Sequence, residues 1–455
     1  MTYSASLLRA LVAASAALMA ASSSSSSSVS SVPEVATVDM SMMLVSSFNE
    51  WATKFEREYA DAGERERRWL VWLENHVLIE SHNAKEGKSF MLGHNEYSDM
   101  THAEFRERMR LGEFSRGLPP SGQKRRGFNF MEYDGGEKGE EEEAKKGLRG
   151  PSSATGGGGE ADPAAVVAAV GRRRALAVDG EEDAGCDWHA EGLTGPVRQQ
   201  GQCGACWAFS AIGAIESAMA IKKYRALPPP EREALAGRSS GDLGLVVPLS
   251  EQDLIDCDLR FEKGCEGGLM TTTFEEEETS RSGICSEVDY PYLETEGTCS
   301  RNMCTPVEGS IVTNQVDVQP RKTNALKEAL KVQPVTAAMV ANDPMFQFYS
   351  SGIYQMEGCG RVTEEMGSPD CGILYEDQDV CLPNINHGVL VVGYGTDEEA
   401  TTDVKGFFKV KNSWGTTWGE GGFFRLARWE TDKTDPMDNW GECAILSLLS
   451  YPVME

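Results

Sequence analysis

The placement of cysteine divides this 455-residue chain more sharply than any other sequence feature. All 12 cysteines lie between Cys186 and Cys443, and the first 185 residues contain none. Disulfides persist in oxidising compartments, so the cysteine-rich part is expected to fold around disulfide bonds. The cysteine-free front part cannot depend on them. The sequence therefore predicts two regions with different roles.

The charge balance argues against a nucleic-acid partner. Lys and Arg number 43 against 71 Asp and Glu, which leaves a formal net charge of −28. Nucleic-acid binders concentrate basic residues on one face, and no basic run here is longer than Arg172 to Arg174.

Structural zinc needs paired cysteine motifs, and only one Cys-x-x-Cys pair exists, so we expect no metal site.

The N-terminal apolar stretch, Leu7 to Ala20, is too short and too rich in alanine for a membrane span of about 20 residues. The small residues at positions 20–22 suit a signal peptidase. The sequence predicts a signal peptide over residues 1–22 and entry into the secretory pathway. A serine-rich leader without that role is the alternative.

Composition divides the remainder of the chain into three parts. Residues 46–106 show helical periodicity, with apolar anchors such as Trp51 in a background of Glu and Arg. Residues 107–180 hold glycine and glutamate runs that can bury little, which predicts a flexible linker. Aromatic and β-type segments return in residues 181–455, the main domain.

The main domain contains only two histidines, His189 and His387. A thiol near its free pKa of about 8.5 is a poor nucleophile unless a base or a local field activates it. Cys206 begins a helical pattern, and unpaired amides and the positive dipole end at a first helical turn favour a thiolate. His189 stands beside Trp188 and is expected at the surface, which leaves His387 as the candidate base.

The residues around Cys206 resemble those of a known family. Residues 199–210 read QQGQCGACWAFS, with the Cys-Gly-Ala-Cys-Trp form typical of papain and the cathepsins. Further matches follow in the family's order at 249–257 (LSEQDLIDC), 264–268 (GCEGG), 386–388 (NHG) and 411–415 (KNSWG). The chain resembles papain-like cysteine proteases, the cathepsin L type most, over residues 46–106 and 186–455.

The resemblance implies a catalytic role for each of five residues. Cys206 would be the nucleophile and His387 its base and later its acid, which together form an acyl-enzyme. Asn412 would hold the imidazole ring, and Trp414 would shield that hydrogen bond from water. The Gln200 side-chain amide and the Cys206 backbone N–H would stabilise the oxyanion, and loss of one such donor typically costs about 10²-fold in rate.

Two other functions could use the same residues. Cys203 and Cys206 could form a redox Cys-x-x-Cys pair, but that motif expects a thioredoxin-like βαβ setting, which the sequence lacks. A thiol oxidoreductase needs both thiols reduced, so a count of free thiols separates the two chemistries. A catalytically silent binding homologue would normally lack one of Cys206, His387, Asn412 or Gln200, and all four are present.

Cysteine parity leaves at least one thiol over. With Cys206 free, an odd number of cysteines remains, so one more must stay unpaired or bond between chains. We hypothesise that Cys285 bonds Cys304 and that Cys186 is the odd thiol. The resemblance implies the other pairs, which are Cys203–Cys265, Cys257–Cys299, and Cys443 with either Cys381 or Cys359.

Substrate binding is partly readable from the resemblance. Gly267 and Gly268 would offer backbone hydrogen bonds to an extended peptide. The pocket for the second residue before the cleaved bond would be apolar, which predicts a preference for Leu, Phe or Val there and poor cleavage of substrates that carry Arg at that position. The residues implied for this pocket and its rim are Leu269, Met270, Ile385, Asn386, Gly388, Trp414 and Leu448.

Two insertions, at about residues 225–248 and between Cys359 and His387, separate Cys206 from His387 by more than the spacing of about 130 to 150 residues usual in this family. The second leads directly into His387. It is predicted to border the leaving-group side of the cleft.

The helical front region carries two further signatures of the cathepsin L group. Six residues recur at helical spacing on one face: Glu64, Arg68, Trp72, Asn75, Ile79 and Asn83. Gly93, Asn95, Tyr97 and Asp99 follow as the second signature. An ordinary charged amphipathic helix is the alternative.

The resemblance implies that this region is an inhibitor that lays the chain backwards through the cleft. Cleavage is expected within about residues 171–185, where Leu176 could fill the apolar pocket. Protonation of Asp99 and nearby carboxylates would weaken their ion pairs and favour release in acid.

Together these features predict an α+β zymogen of papain-like two-lobe fold. A helical pro-domain and a linker precede a helical lobe around Cys206 and a β-barrel lobe that carries His387 and Asn412. We expect a monomeric endopeptidase without metal or organic cofactor, acting on protein and peptide substrates. It would work outside the cell or in a lysosome or vacuole.

Overall fold

The computed structural model describes residues 34–111, 185–235, 243–259, 262–275, 282–356, 359, 385–400, 402–429 and 440–455. The predicted signal peptide, most of the linker with Leu176, and the second insertion with Cys371 and Cys381 lie outside the described residues. Within those ranges, none of the helices combines the length and the apolar character that a bilayer span requires.

The described residues of the cysteine-free part form two long helices, a short helix and one strand. Helix α1 (Glu34–Lys54) begins ahead of the predicted domain start at residue 46, and α2 (Ala62–Asn83) and α3 (His102–Arg108) follow. Asp61 caps α2 because its carboxylate accepts from the Glu64 N–H at 2.8 Å. Buried aromatic residues of α1 and α2, among them Phe48, Trp51 and Trp72, form a small core between these helices.

The helical part of the main domain is built around α4 (Cys206–Ala226). Its side chains are almost continuously buried from Cys206 to Ile221, because alanines and Gly213 let neighbouring elements pack against every face. Two short helices, α6 (Glu251–Cys257) and α7 (Met270–Glu275), pack against it, and α5 (Pro229–Leu235) follows it in the chain. Leu243 and Leu245, from the first insertion, pack beside Trp188.

A nine-stranded sheet forms the other part, and helix α8 (Thr323–Leu330) packs on it. The strand order is β1-β5-β8-β7-β6-β4-β9-β3, with β2 paired to β6, and only β5 and β8 run parallel. The strands are β1 (Phe90–Leu92), β2 (Cys186–Asp187), β3 (Val312–Asp317), β4 (Val335–Met339), β5 (Tyr349–Tyr354), β6 (His387–Thr396), β7 (Gly406–Lys411), β8 (Phe423–Ala427) and β9 (Leu449–Met454).

The first strand of this sheet comes from the cysteine-free part. Strand β1 pairs antiparallel with β5, and Phe90 lies opposite Gly352. Gly352 has a φ of +91°, and a Cβ there would stand 2.6 Å from the Ser89 carbonyl oxygen, so glycine is what allows this approach. The front region therefore docks by strand addition at a sheet edge.

The described residues contain four disulfides, Cys203–Cys265, Cys257–Cys299, Cys285–Cys304 and Cys359–Cys443. Of the two partners that the sequence left open for Cys443, the structure has Cys359. Among the described cysteines, Cys186 and Cys206 are free thiols.

Candidate active site

Cys206 is the first residue of α4, and its side chain is only 4% exposed. The residue before it, Ala205, has no side chain that could cap the helix, so the first backbone amides stay available to a ligand or to the sulfur. The Sγ atom accepts a hydrogen bond from the Gly388 N–H at 3.3 Å. The thiol therefore touches the residue that follows His387.

His387 opens strand β6 and is fully buried. Its Nε2 lies 2.8 Å from Oδ1 of Asn412, which directly follows the adjacent antiparallel strand β7. The Trp414 ring stacks on the imidazole at a centroid distance of 4.8 Å. Among the described residues, Nδ1 of His387 has no hydrogen-bond partner, so this nitrogen is free to take a proton.

Burial opposes charge on both groups in this form of the protein. It raises the pKa of the Cys206 thiol to about 11, although the backbone amides of Gly388 and Trp207 act in the opposite direction. Burial also lowers the pKa of His387 to about 4, although the hydrogen bond to Asn412 Oδ1 acts in the opposite direction. In the covered site the neutral thiol and the neutral imidazole are therefore favoured over the ion pair.

Gln200 is held in a single orientation. Its Oε1 accepts from the Ser413 hydroxyl at 2.7 Å, which turns the Nε2 amide the other way. That amide donates to the carbonyl of Cys203 at 3.1 Å and to the carbonyl of Met109 at 3.4 Å. Gln200 thus already binds two carbonyl oxygens, and the one of Met109 belongs to the cysteine-free region.

The chain around Met109 covers the site. Arg110 donates from Nε to the Gln202 carbonyl at 3.2 Å. The Tyr97 hydroxyl donates to the Trp414 carbonyl at 3.1 Å, and Phe105 packs edge-on against the Trp414 ring at 5.2 Å. A substrate peptide cannot reach Cys206 while this segment is in place.

Close packing explains why glycine occupies position 204 in the Cys-Gly-Ala-Cys segment. The Gly204 N–H donates to the Cys265 carbonyl at 2.9 Å, and a Cβ on Gly204 would stand 2.4 Å from that oxygen. Cys203, bonded to Cys265, fixes the same two segments together.

The structure brings most of the predicted pocket residues together. Leu269, Met270 and Ile385 are buried in one apolar cluster, and the half-buried Leu448 packs against it. Asn386 is different, since its side chain accepts from the Ala341 N–H at 2.8 Å and also bonds Asn342, and so is already engaged.

The two glycines beside this pocket allow close packing. Gly267 has a φ of +109°, which favours glycine. A Cβ on Gly268 would stand 2.6 Å from the Trp207 ring, so a side chain there would collide with a buried indole.

Five of the six predicted face residues of α2 lie against the segment that carries the second signature. Arg68 bonds the Asp99 carbonyl at 3.0 Å, Asn75 bonds the Ser98 carbonyl at 2.9 Å, and Asn83 bonds Leu92 through both side-chain atoms. Trp72 and Ile79 are buried. Glu64 instead accepts from the Ala60 N–H at 2.8 Å, which places it in the helix cap.

The second-signature residues fix this segment to the main domain. Asn95 donates to the Gln347 carbonyl at 2.7 Å, and Gln347 donates to the Tyr97 carbonyl at 3.1 Å. Gly93 donates its N–H to the Phe348 carbonyl at 2.8 Å. The Asp99 carboxylate faces the other way and accepts from the Tyr59 hydroxyl at 3.0 Å.

The competing base, His189, lies away from this arrangement. Its ring packs on Phe423 at 4.2 Å, and its Nδ1 lies 3.2 Å from the Thr194 hydroxyl. The residue is half-buried rather than fully at the surface, because the ring fills space beside Phe423. Within the described ranges no cluster of three His, Cys, Asp or Glu residues could hold a metal ion.

Sequence reasoning missed two residues of the site. Ser413 orients the Gln200 amide, and it stands inside the Asn412 to Trp414 segment, where it could have been weighed. Met109 gave no signal, because nothing in its neighbours indicates that its carbonyl reaches Gln200.

Two family profiles match the chain. Residues 183–453 match "Papain family cysteine protease", and residues 48–105 match "Cathepsin propeptide inhibitor domain (I29)".

Individual proteins are similar over most of their length. The senescence-specific cysteine protease SAG12 of Arabidopsis thaliana is 31% identical over 92% of this chain and 92% of its own. Cathepsin L1 of Drosophila melanogaster is 31% identical over 89% of this chain and 85% of its own. Among solved structures, a recombinant stem bromelain precursor is similar with a TM-score of 0.61 and 28% identity, covering 91% of this chain and 99% of that one.

Proposed function

Because this chain belongs to the papain family of cysteine proteases and carries a cathepsin-type inhibitory propeptide, we propose that it cleaves internal peptide bonds through a Cys206–His387 ion pair. Membership of the family confirms the predicted papain-like fold, the enzyme class and the zymogen organisation. The observation that carries the proposal is the junction of α4 with β6, where Cys206 Sγ contacts the Gly388 N–H at 3.3 Å.

The proposed reaction starts with a proton transfer from Cys206 Sγ to Nδ1 of His387. The thiolate then attacks the peptide carbonyl carbon, and the Gln200 amide and the Cys206 N–H receive the oxyanion. His387 returns its proton to the leaving amine, and an acyl-enzyme remains. A water activated by the same imidazole releases the acid and restores the thiol. Asn412 fixes the ring throughout, because its Oδ1 accepts from Nε2.

The disulfide between Cys203 and Cys265 supports this chemistry over the redox alternative. A Cys-x-x-Cys oxidoreductase alternates between a dithiol and a disulfide of its own two cysteines while it reduces or oxidises a substrate, and here Cys203 is bonded elsewhere while Cys206 is free. The presence of His387, Asn412 and Gln200 in hydrogen-bonded positions likewise supports an active enzyme over a silent homologue.

The proposed substrate preference rests on the apolar cluster around Leu269, Met270 and Ile385. An apolar side chain gains free energy by burial against this cluster, whereas a cationic side chain would lose its hydration there. We expect Leu, Phe or Val two residues before the cleaved bond to be preferred over Arg by at least tenfold in kcat/KM. A peptide library profiled with the activated enzyme measures this, and a preference for Arg would contradict the pocket assignment.

The pro-domain is proposed to inhibit by occupying the groove, with Met109 as the residue nearest to the oxyanion donors. Maturation would cut the chain within about residues 171–185, which lie almost wholly outside the described residues. The disulfides fit folding in the secretory pathway. We propose that the mature enzyme acts outside the cell or in a lysosome or vacuole, and as a monomer.

The test is hydrolysis of a Phe-Arg reporter peptide at pH 5 to 6 after acid activation. The account expects activity that a thiol-alkylating inhibitor removes and that Cys206→Ser abolishes. Cys186→Ser is the matched control, because it removes the other free thiol of the described residues and is expected to leave the rate unchanged. Activity that survives Cys206→Ser would contradict the proposal.

A further inference from the structure

The oxyanion donor Gln200 is tied to both parts of the main domain. Ser413, which follows Asn412, holds it from the sheet side: the Ser413 hydroxyl donates to Oε1 at 2.7 Å, and the Ser413 carbonyl accepts from the Gln200 N–H at 2.9 Å. The remaining backbone group of Gln200, its carbonyl, points the other way. It accepts the hydroxyl of Tyr292 at 2.5 Å.

Tyr292 belongs to the helical part of the domain. Its ring meets Phe209 edge-on, with centroids 4.9 Å apart and planes at 86°. Phe209 lies one turn after Cys206 on α4, so Tyr292 reaches from the nucleophile's helix to the Gln200 loop. The Glu287 carboxylate accepts from the Tyr292 N–H at 3.2 Å and fixes its backbone.

The Tyr292 hydroxyl remains a donor at every pH at which the enzyme could work. Burial, and then the nearby Glu294 carboxylate, raise the pKa of Tyr292 far above its usual value. The phenol therefore keeps its proton. The Gln200 carbonyl that it serves is buried, so loss of the hydroxyl would leave an unsatisfied acceptor.

We propose that Tyr292 is a positioning residue for the oxyanion hole, an inference that rests on the function proposed above. The two oxyanion donors sit on different segments, the Cys206 N–H on α4 and the Gln200 amide on a loop bonded to Ser413. A tie from the α4 side to the Gln200 loop holds these donors at a fixed separation. The hydrogen bond from the Tyr292 hydroxyl to the Gln200 carbonyl is such a tie, and it acts on the backbone of Gln200 while the side-chain amide bonds the Cys203 carbonyl.

A double-mutant cycle on the activated enzyme tests the inference, with concentrations set by active-site titration. Tyr292→Phe keeps the ring packing on Phe209 and is expected to lower kcat about three- to tenfold with little change in KM, which corresponds to one lost hydrogen bond. The affinity for a peptide aldehyde, whose adduct places an oxyanion in the hole, is expected to fall by the same factor. In a Gln200→Ala background, Tyr292→Phe is expected to have no further effect.

Tyr290→Phe is the matched control. Tyr290 lies two residues away, and its hydroxyl donates to the Asp256 carboxylate at 2.7 Å, so this variant also loses a part-buried hydrogen bond but none to the Gln200 loop. Its kcat is expected to stay within about twofold of the unmodified enzyme. If Tyr292→Phe yields too little active enzyme, Phe209→Leu replaces it in the double-mutant cycle with Gln200→Ala. This variant removes the edge-on contact with the Tyr292 ring and keeps the Tyr292 hydroxyl.

Two results would overturn the inference. One is an unchanged kcat in Tyr292→Phe, and the other is an equal fold-loss of kcat on Tyr292→Phe in the presence and in the absence of the Gln200 side chain. Either result in an enzyme that still requires Cys206 would leave the proposed protease function intact. Activity independent of Cys206 would instead remove the proposed function itself.

Discussion

At the scale of single residues, the two ring nitrogens of His387 have different environments. Nε2 bonds Asn412 at 2.8 Å, and Nδ1 is unpaired among the described residues. The Asn412 oxygen can only accept, so it selects the tautomer in which Nε2 carries the proton and Nδ1 keeps a lone pair. The same contact then stabilises the imidazolium.

Removal of this acceptor should therefore affect chemistry more than binding. We expect Asn412→Ala to lower kcat about 10- to 100-fold with little change in KM, since hydrogen bonds to charged groups contribute about 1.5–3 kcal/mol. Steady-state kinetics of the activated enzyme measures this. Gln333→Ala is a suitable control, because Gln333 donates to the Pro452 carbonyl at 2.8 Å elsewhere in the same sheet. A kcat equal in both variants would contradict the role of Asn412.

At the scale of elements, the pro-domain packs together two half-buried histidines that no sequence pattern connects. His76 of α2 and His94 both stack on the Trp72 ring, at 5.0 and 4.4 Å, and their ring nitrogens lie 3.0 Å apart. Burial, and then the neighbouring His76, lower the pKa of His94 to about 3. Burial also lowers the pKa of His76, although Glu80 acts in the opposite direction.

The sign of the pH effect follows from these shifts. Both rings take up protons more readily when the pro-domain opens than when it is packed, so the open state binds more protons below the ordinary value of 6.5. Their contribution to packing stability is full above pH 6.5 and is lost as the pH falls towards the lowered values. Acid therefore weakens the hold of α2 on the segment that leads into the cleft.

We expect His94→Gln to move the midpoint of acid activation to lower pH than in the unmodified zymogen. Reporter hydrolysis after incubation over a pH series measures this midpoint. The inactive Cys206→Ser zymogen is added as a substrate for the activated enzyme, so that cleavage by another molecule is measured separately from release of a chain's own pro-domain. Asp99→Asn tests the carboxylate route expected from the sequence. A midpoint that moves only with Asp99→Asn would exclude the histidine pair as the main sensor.

Some elements of the fold could be predicted from the sequence and others could not. The α2 face and the Cys206 helix follow from local periodicity and from residue identities a few positions apart. The pairing of β1 with β5 joins residues more than 250 positions apart, and the contact of Met109 with Gln200 involves a backbone atom. Neither leaves a pattern in the side chains. The role of Ser413 was readable in principle, because it lies between two recognised site residues.

At the scale of the whole molecule, the Cys206 thiol of the zymogen is expected to be a poor nucleophile as well as sterically blocked. Burial raises the pKa of Cys206 to about 11, so little thiolate exists near neutral pH. Removal of the pro-domain is expected to let water into the site and to favour the proposed Cys206–His387 ion pair. We expect iodoacetamide to alkylate Cys206 at least about 100-fold faster after activation, as followed by peptide mass spectrometry.

Cys186 provides an internal control in the same experiment. Burial raises its pKa to about 12, and the strand that carries it, β2, pairs with β6. Its slow alkylation should not change on activation. Equal acceleration at both cysteines would indicate general loosening of the fold rather than uncovering of the site.

The most direct test of the central claim is to trap the covalent intermediate. Activated enzyme is mixed with a slowly deacylating peptide ester, quenched in acid and mapped by mass spectrometry. The account predicts one acyl group on the peptide that contains Cys206, absent from His387→Ala. An acyl group on any other residue, or turnover of the ester with no acyl-enzyme on Cys206, would contradict it.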